Sequence, residues 1–371
     1  MKKNYSLLIL LFTIIGFAQP PANYYNNATG TGYTLKTQLK TIITTGHNDQ
    51  GYNAFDAFTS VHDLDAYDVY ENDGTILDVY SENPNGADPY NYTPVEDECG
   101  NYNGEGVCYN KEHVIPQSIF NQIAPMRGDG HHLLPTDGRV NGFRSNYPFG
   151  YVGSNLVSQS GISNPTMNGS KLGNNINTGL FSGYTGIVFE PIDEFKGDIA
   201  RIYFYFITRY QDEAAGWTYD MFNGTSNQVL TNTFLYTLID WHINDPVSQT
   251  EIDRNNALYQ YQGNRNPFID NPDYVCEIYT TQCATLSTKQ FDGFSSVSVY
   301  PNPTNNHTIN IQSETVLDEI QLINVNGQII QQIKKPVFNS NTYTLENLNS
   351  GFYFLKISSE SQSVTKKIIV N

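Results

Sequence analysis

Between Tyr109 and Gly150 the sequence reads YNKEHVIPQSIFNQIAPMRGDGHHLLPTDGRVNGFRSNYPFG. It sets Glu112 directly before His113 and adds the pair His131-His132, the arginines Arg127, Arg139 and Arg144, and the amide Asn141. A hard divalent cation such as Mg²⁺ takes oxygen ligands and keeps several waters, so Glu112 and Asn141 suffice if a substrate phosphate completes its shell. Mn²⁺ and Ca²⁺ accept the same oxygens. A cation held there would polarise the phosphate and stabilise the leaving oxygen. A neutral His113, with an ordinary pKa near ~6.5, would take the proton of an attacking water. The chemistry these residues suit is metal-assisted hydrolysis of a phosphate ester.

Positioning those groups needs a strand, a second strand and a helix. Glu112 and His113 are expected to end a strand, and because neighbours on a strand face opposite ways, the chain must twist or bend there. Pro116 makes such an ending natural. Gly130 to Leu134 is read as a second short strand that Pro135 breaks, and Thr136 or Asp137 caps a helix carrying Asn141 one turn in. For His131 and His132, packing beside Leu133 and Leu134 stands level with direct ligation. For each of Arg127, Arg139 and Arg144, a solvated or salt-bridged role outweighs substrate contact, although one of the three is expected to meet phosphate. His47, His62, His242 and His307 lie outside the cluster and receive no role.

The rest of the chain bounds what this site belongs to. Lys2 and Lys3 precede an apolar run from Leu7 to Phe17, and Gly16-Phe17-Ala18 supplies small residues at a cleavage point. The run is shorter than the ~20 residues a spanning helix wants, so residues 1–18 are read as a secretory signal peptide. No other stretch is read as spanning a membrane. With 20 basic against 37 acidic side chains and a formal charge of −17, the chain has no generally basic surface for nucleic acid. Contact with a polyanion would depend on a metal and clustered arginines and would be salt-sensitive. The cysteines fall into two close pairs, Cys99 with Cys108 and Cys276 with Cys283. In an exported chain this favours disulfides over a metal cluster, and of the three pairings the two local ones are preferred because each closes a short loop.

A chain of 371 residues suggests two domains. Residues 19–283 are assigned to the first, 284–293 to a polar connector and 294–371 to the second. In the first, Asp198 to Gln211 and Thr231 to His242 carry apolar residues at helical spacing, while the opening 90 or so residues are turn-rich and unassigned. In the second, alternation at 297–300, 308–311, 320–323, 328–333, 352–357 and 367–370, with turns at Asn326-Gly327 and Ser350-Gly351, reads as an antiparallel sandwich. The fold class is therefore α+β, followed by a small all-β sandwich.

Two family resemblances rest on these residues. The phrases KEHVIPQSIF (111–120), DGHHLLPTDGRVNGFRSNYPFG (129–150), FKGDIARIYFYFITRY (195–210) and DPVSQTEIDRNNALYQYQGNRNPFID (245–270) resemble, in order, the secreted and periplasmic bacterial endonuclease I family. That family's core is a ββα-metal, or His-Me finger, motif. The resemblance implies an endonuclease cutting DNA, and often RNA, with little sequence preference and 5′-phosphate products. It matches His113 to the general base and Glu112 and Asn141 to the protein ligands of Mg²⁺. Some relatives carry the phosphate-assisting arginine in a longer insertion between the two strands. Here the loop is short, and Arg127, then Arg144, are the candidates. The tail phrases VYPNPTNN (299–306), INVNGQII (323–330), LNSGFYFLKI (348–357) and the closing KKIIVN resemble the type A C-terminal sorting domain of the type IX secretion system. This implies export across an outer membrane and a secreted or surface-attached protein, with a monomer as the default expectation. The competing expectation is a non-catalytic surface binding protein on a nuclease scaffold.

Overall fold

The computed structural model describes residues 20–65, 70–100, 103–292, 297–313, 316–324, 328–339, 341–359 and 362–371. The expected signal peptide and the Asn326-Gly327 turn lie outside the described residues. The chain divides into two compact units at Gln282 and Cys283.

The larger unit opens with two helices that sequence periodicity left unassigned, α1 (Gly32–Thr44) and α2 (Phe55–His62). On α1, Leu35, Leu39 and Ile43 recur every fourth residue and are buried, the spacing that keeps side chains on one helical face. There follow β1 (Tyr109–His113), β2 (Leu133–Asp137) and α3 (Gly138–Arg144), then β3 (Val152–Leu156), β4 (Lys171–Asn175) and β5 (Ile187–Glu190). The remainder is mainly helical: α4 (Lys196–Arg209), α5 (Gln211–Ala214), α6 (Asn232–Asn244), α7 (Gln249–Gln262), α8 (Pro267–Asp270) and α9 (Tyr274–Ile278), and α10 (Thr280–Asp292) runs across the division at Gln282 and Cys283. The stretch read as a polar connector is thus helical as far as Asp292.

β1 and β2 form an antiparallel pair with Glu112 opposite Leu134 and His113 opposite Leu133, and β3, β4 and β5 form a second antiparallel sheet. The expected strand from Gly130 to Leu134 needs correction. Gly130–His132 is a single 3₁₀ turn, and the strand starts at Leu133 and continues through Pro135 to Asp137. Asp129 accepts a hydrogen bond from the His131 amide and so closes that turn. A side chain at Gly130 would meet Leu258 and Phe55 at 2.6 Å, so the turn fits here because the residue is glycine. Pro135 is tolerated because β2 pairs on one side only, with β1, and a proline lacks the donor that a second neighbour would require.

Two further elements support this hairpin. α4, expected over 198–211, is buried on nearly every side, including Arg201 and Arg209, and forms the interior of the unit. α7 carries a full capping box between Ser248 and Glu251 and closes with Gly263 in the left-handed conformation. Cys99 is bonded to Cys108, Cys276 and Cys283 are disulfide-bonded as well, and no free cysteine is present.

The second unit contains β6 (Ser298–Tyr300), β7 (Ile309–Gln312), β8 (Glu319–Asn324), β9 (Ile329–Lys334), β10 (Thr342–Leu345), β11 (Gly351–Ser359) and β12 (Gln362–Val370). They form antiparallel sheets of order β10-β7-β6 and β12-β11-β8-β9 around a core that includes Ile309, Ile311, Ile320, Leu322, Leu355 and Ile357. β10 escaped the sequence reading because it is four residues long, TYTL, and only Leu345 in it is fully buried. Among the described residues no helix is long and apolar enough to cross a membrane.

Candidate active site

β1 is fixed at both ends. At its start the Cys99–Cys108 bridge closes a loop in which the Cys99 amide donates to the Tyr109 carbonyl at 2.8 Å and the Tyr109 amide donates to the Asp97 carbonyl at 3.0 Å. At its end Glu112 and His113 are both buried. α3 begins where β2 stops, with Asp137 as its cap, accepting from the Val140 amide at 2.7 Å. The Asp137 carboxylate also accepts from Tyr92 and from the Gly106 amide, while the Asp137 amide donates to buried Asp78 at 2.7 Å.

The Glu112 carboxylate receives two protein hydrogen bonds, from Arg144 at 2.9 Å and Tyr80 at 3.0 Å, and both fall on Oε1. Burial pushes its pKa up, and the Arg144 charge and the two hydrogen bonds act against that shift. Among the described residues none donates to Oε2. Asn141 donates its amide nitrogen to Asn110 Oδ1 at 2.7 Å and, more weakly, toward the Lys111 carbonyl at 3.5 Å. Its Oδ1 is likewise uncommitted, and the Lys111 contact seats α3 against the residue preceding Glu112. Two oxygens without protein partners, one carboxylate and one amide, are the donor set a hydrated Mg²⁺ accepts.

His113 is oriented by a backbone group. Its Nε2 lies 3.1 Å from the Arg127 carbonyl, which can only accept, so Nε2 carries the proton and Nδ1 presents a lone pair. The Tyr52 ring stacks on the imidazole at 5.2 Å, and His132 meets it edge-on at 5.3 Å. Burial, reinforced by His132, Arg127 and Lys111, lowers the His113 pKa to about 3, so the ring is neutral at physiological pH.

The arginines separate clearly. Arg144 is 1 % exposed, pairs with Glu112, donates to the His113 carbonyl at 3.1 Å and to the Val114 carbonyl at 2.8 Å, and lies 4.4 Å over the Phe149 ring. Arg139 donates to the Ser160 carbonyl at 2.8 Å. Arg127 rests its guanidinium over Tyr52 at 4.6 Å and forms no salt bridge with a described carboxylate. Lys111 is committed to Asp56 and Glu98.

His131 and His132 resolve toward packing. Each is buried with Nε2 on a carbonyl, that of Asn264 at 3.2 Å and that of Met126 at 2.7 Å, beside the Tyr205 and Phe206 rings respectively. Burial lowers their pKa values to about 3 and about 4. Reasoning from sequence missed Asp129, which is fully buried and accepts from Arg209, Tyr205, Tyr210 and Gln262. It anchors the turn whose upstream carbonyls, of Met126 and Arg127, orient His132 and His113. Tyr52 and Tyr80 were missed too. A conspicuous sign was available only for Asp129, which stands between two glycines just before the histidine pair.

Comparison with known proteins identifies the family. Residues 31–273 match the Endonuclease I family, and residues 298–371 match the secretion system C-terminal sorting domain. An extracellular ribonuclease of Bacillus subtilis is 29% identical over 280 residues, covering 72% of this chain and 84% of that protein. One from Bacillus amyloliquefaciens is 31% identical over 262 residues, covering 69% and 78%. Endonuclease-1 of Buchnera aphidicola is 26% identical over 144 residues, covering 39% and 45%. With the family match spanning the whole β1, β2 and α3 site, the chain belongs to the endonuclease I family and is a secreted nuclease with a C-terminal sorting domain.

Proposed function

We propose that the protein is a metal-dependent endonuclease that hydrolyses phosphodiester bonds of DNA and RNA outside the cell, with His113 as general base. One observation carries this reading: the Arg127 carbonyl holds the His113 Nε2–H and leaves Nδ1 unprotonated beside a strand and helix that present Glu112 and Asn141. His113 Nδ1 takes a proton from water as the water oxygen bonds to phosphorus. The bond from phosphorus to the 3′-oxygen breaks, and that oxygen is protonated from solvent, leaving a 5′-phosphate. Glu112 Oε2 and Asn141 Oδ1 would hold Mg²⁺, whose chemistry is to neutralise charge on the phosphate and the leaving oxygen. Mn²⁺ or Ca²⁺ fits the same oxygens. Arg127, whose charge is not consumed by a carboxylate, is assigned to the phosphate. Arg144 is assigned to holding Glu112 in place. The ribonuclease names of the two Bacillus relatives support RNA as a substrate alongside DNA. The tail addresses the chain to the type IX secretion machinery.

The test is cleavage of supercoiled plasmid and of single-stranded RNA by the oxidised protein with Mg²⁺ or EDTA, beside His113→Ala. Loss of a general base predicts a fall of roughly 10²–10⁴-fold with the fold retained. Equal cleavage by the variant, or undiminished cleavage in EDTA, would overturn the assignment.

A further inference from the structure

A second acidic constellation lies in the larger unit, built from residues that the nuclease chemistry does not use. Glu71, Glu82 and Asp88 each place an oxygen within 4.8 Å of the other two. Oxygens bound to one Ca²⁺ at roughly 2.4 Å can be no more than about 4.8 Å apart, whereas Mg²⁺ draws its ligands closer. Glu82 is 1 % exposed, and its Oε1 is buried without a hydrogen-bond partner. A carboxylate oxygen in that state carries a desolvation cost unless something neutralises it. No described lysine or arginine forms a salt bridge with any of the three.

The surrounding backbone is already arranged. The Asp88 amide donates to Glu71 Oε1 at 2.9 Å, and the Asn83 amide donates to Asp88 Oδ1 at 2.7 Å, which ties the two loops together. Asp65, also buried, has a second unpartnered oxygen, Oδ1, and its charge acts on both Glu82 and Asp88. The crowding shows in the Glu82 carboxyl, pushed up to about 9 first by burial and then by Asp88, Glu71 and Asp65.

We propose that Glu71, Glu82 and Asp88 form a binding site for a structural divalent cation of the Ca²⁺ type, distinct from the Glu112 and Asn141 site. Its effect would reach the nuclease centre through one short segment. The Glu82 amide donates to the Asp78 carbonyl at 2.9 Å, Asp78 accepts from the Asp137 amide that begins α3, and Tyr80 donates to Glu112. A cation on Glu82 therefore pins the turn that supports both the helix cap and the candidate catalytic carboxylate.

The test separates this site from the catalytic one by working in full-length Asn141→Ala protein. Thermal melting is followed as CaCl₂ is added to the chelator-treated chain. The expected result is a saturable rise of at least about 3 °C, as binding to the folded state alone produces. Adding Glu71→Gln, an exposed and mild change, should weaken that response at least tenfold in CaCl₂ concentration. Adding Glu82→Gln instead should abolish the response. No rise in the Asn141→Ala protein, or an undiminished response after either glutamine substitution, overturns the proposal.

Discussion

The larger unit buries Lys36, Asp129, Arg144, Arg201, Arg209 and Arg265, whereas the buried polar residues described in the sandwich are Thr304 and Ser313. In the sandwich, Ile309, Ile311, Ile320, Leu322, Leu355 and Ile357 fill the space between sheets. Such a core is specified by area and shape, and one methyl group more or less is felt only through packing. In the larger unit four buried arginines each have a carboxylate partner: Arg201 with Glu251, Arg209 with Asp129, Arg144 with Glu112 and Arg265 with Asp270. Replacing such pairs by apolar residues often leaves stability unchanged or improves it, so stability alone does not account for them. Of these, the Arg144 pair holds Glu112 near the end of β1 and the Arg209 pair holds Asp129 in the turn leading to β2, where a hydrogen bond has a direction and an apolar contact does not. The comparison teaches that the imidazole and carboxylate of the candidate site are held by directional polar bonds, whereas the sandwich is held by apolar packing.

The comparison can be broken most severely at Asp129. Asp129→Ala strands the Arg209 guanidinium and removes the acceptor shared with Tyr205, Tyr210 and Gln262. A loss of about 3–5 kcal/mol is expected, with nuclease activity falling in the protein that remains folded, because the Arg127 carbonyl loses its anchor. Urea unfolding together with plasmid cleavage at low temperature checks both, and full activity at reduced stability would show that the turn does not depend on Asp129.

The counterpart is Leu355→Ala in the sandwich. About 2–5 kcal/mol should be lost from that unit, and nuclease activity per folded molecule should be unchanged. Calorimetry resolves whether one transition moves alone. A parallel drop in activity would mean that the sandwich supports the catalytic geometry.

The smallest effect sharpens the electrostatic side. Because burial lowers the His113 pKa to about 3, its protonated form should be scarce across the range where an ordinary histidine titrates near ~6.5. In the metal-free protein, ring-carbon NMR signals of His113 should stay in the neutral position from pH 8 down to about 5. A change of these signals centred near ~6.5 would remove the claim that burial keeps the ring neutral.

Part of the candidate site was legible from residues alone. Glu112, His113 and Asn141 stand out by type, and of the two caps expected, Thr136 or Asp137, the structure uses Asp137, because capping is a local interaction. The tail strands were readable for the same reason: alternation over a few residues reports which face is buried. The strand expected at Gly130 failed where local pattern met a competing influence, the capping of the turn by Asp129.

By itself the sequence determined which groups could do chemistry, that hydrolysis beside an oxygen-ligated metal suits them, and that a strand-rich tail follows a mixed unit. Only the tertiary structure decided which nitrogen of His113 is available, because the group that orients it is the Arg127 carbonyl, a backbone atom that every residue possesses. Only it separated Arg144, buried against Glu112, from Arg127 over Tyr52, and showed His131 and His132 packed with their Nε2 atoms on backbone carbonyls. Only it brought Glu71, Glu82 and Asp88 together. Residue type and spacing report local preference, whereas burial, pairing and direction depend on segments distant in sequence that meet after the chain has folded.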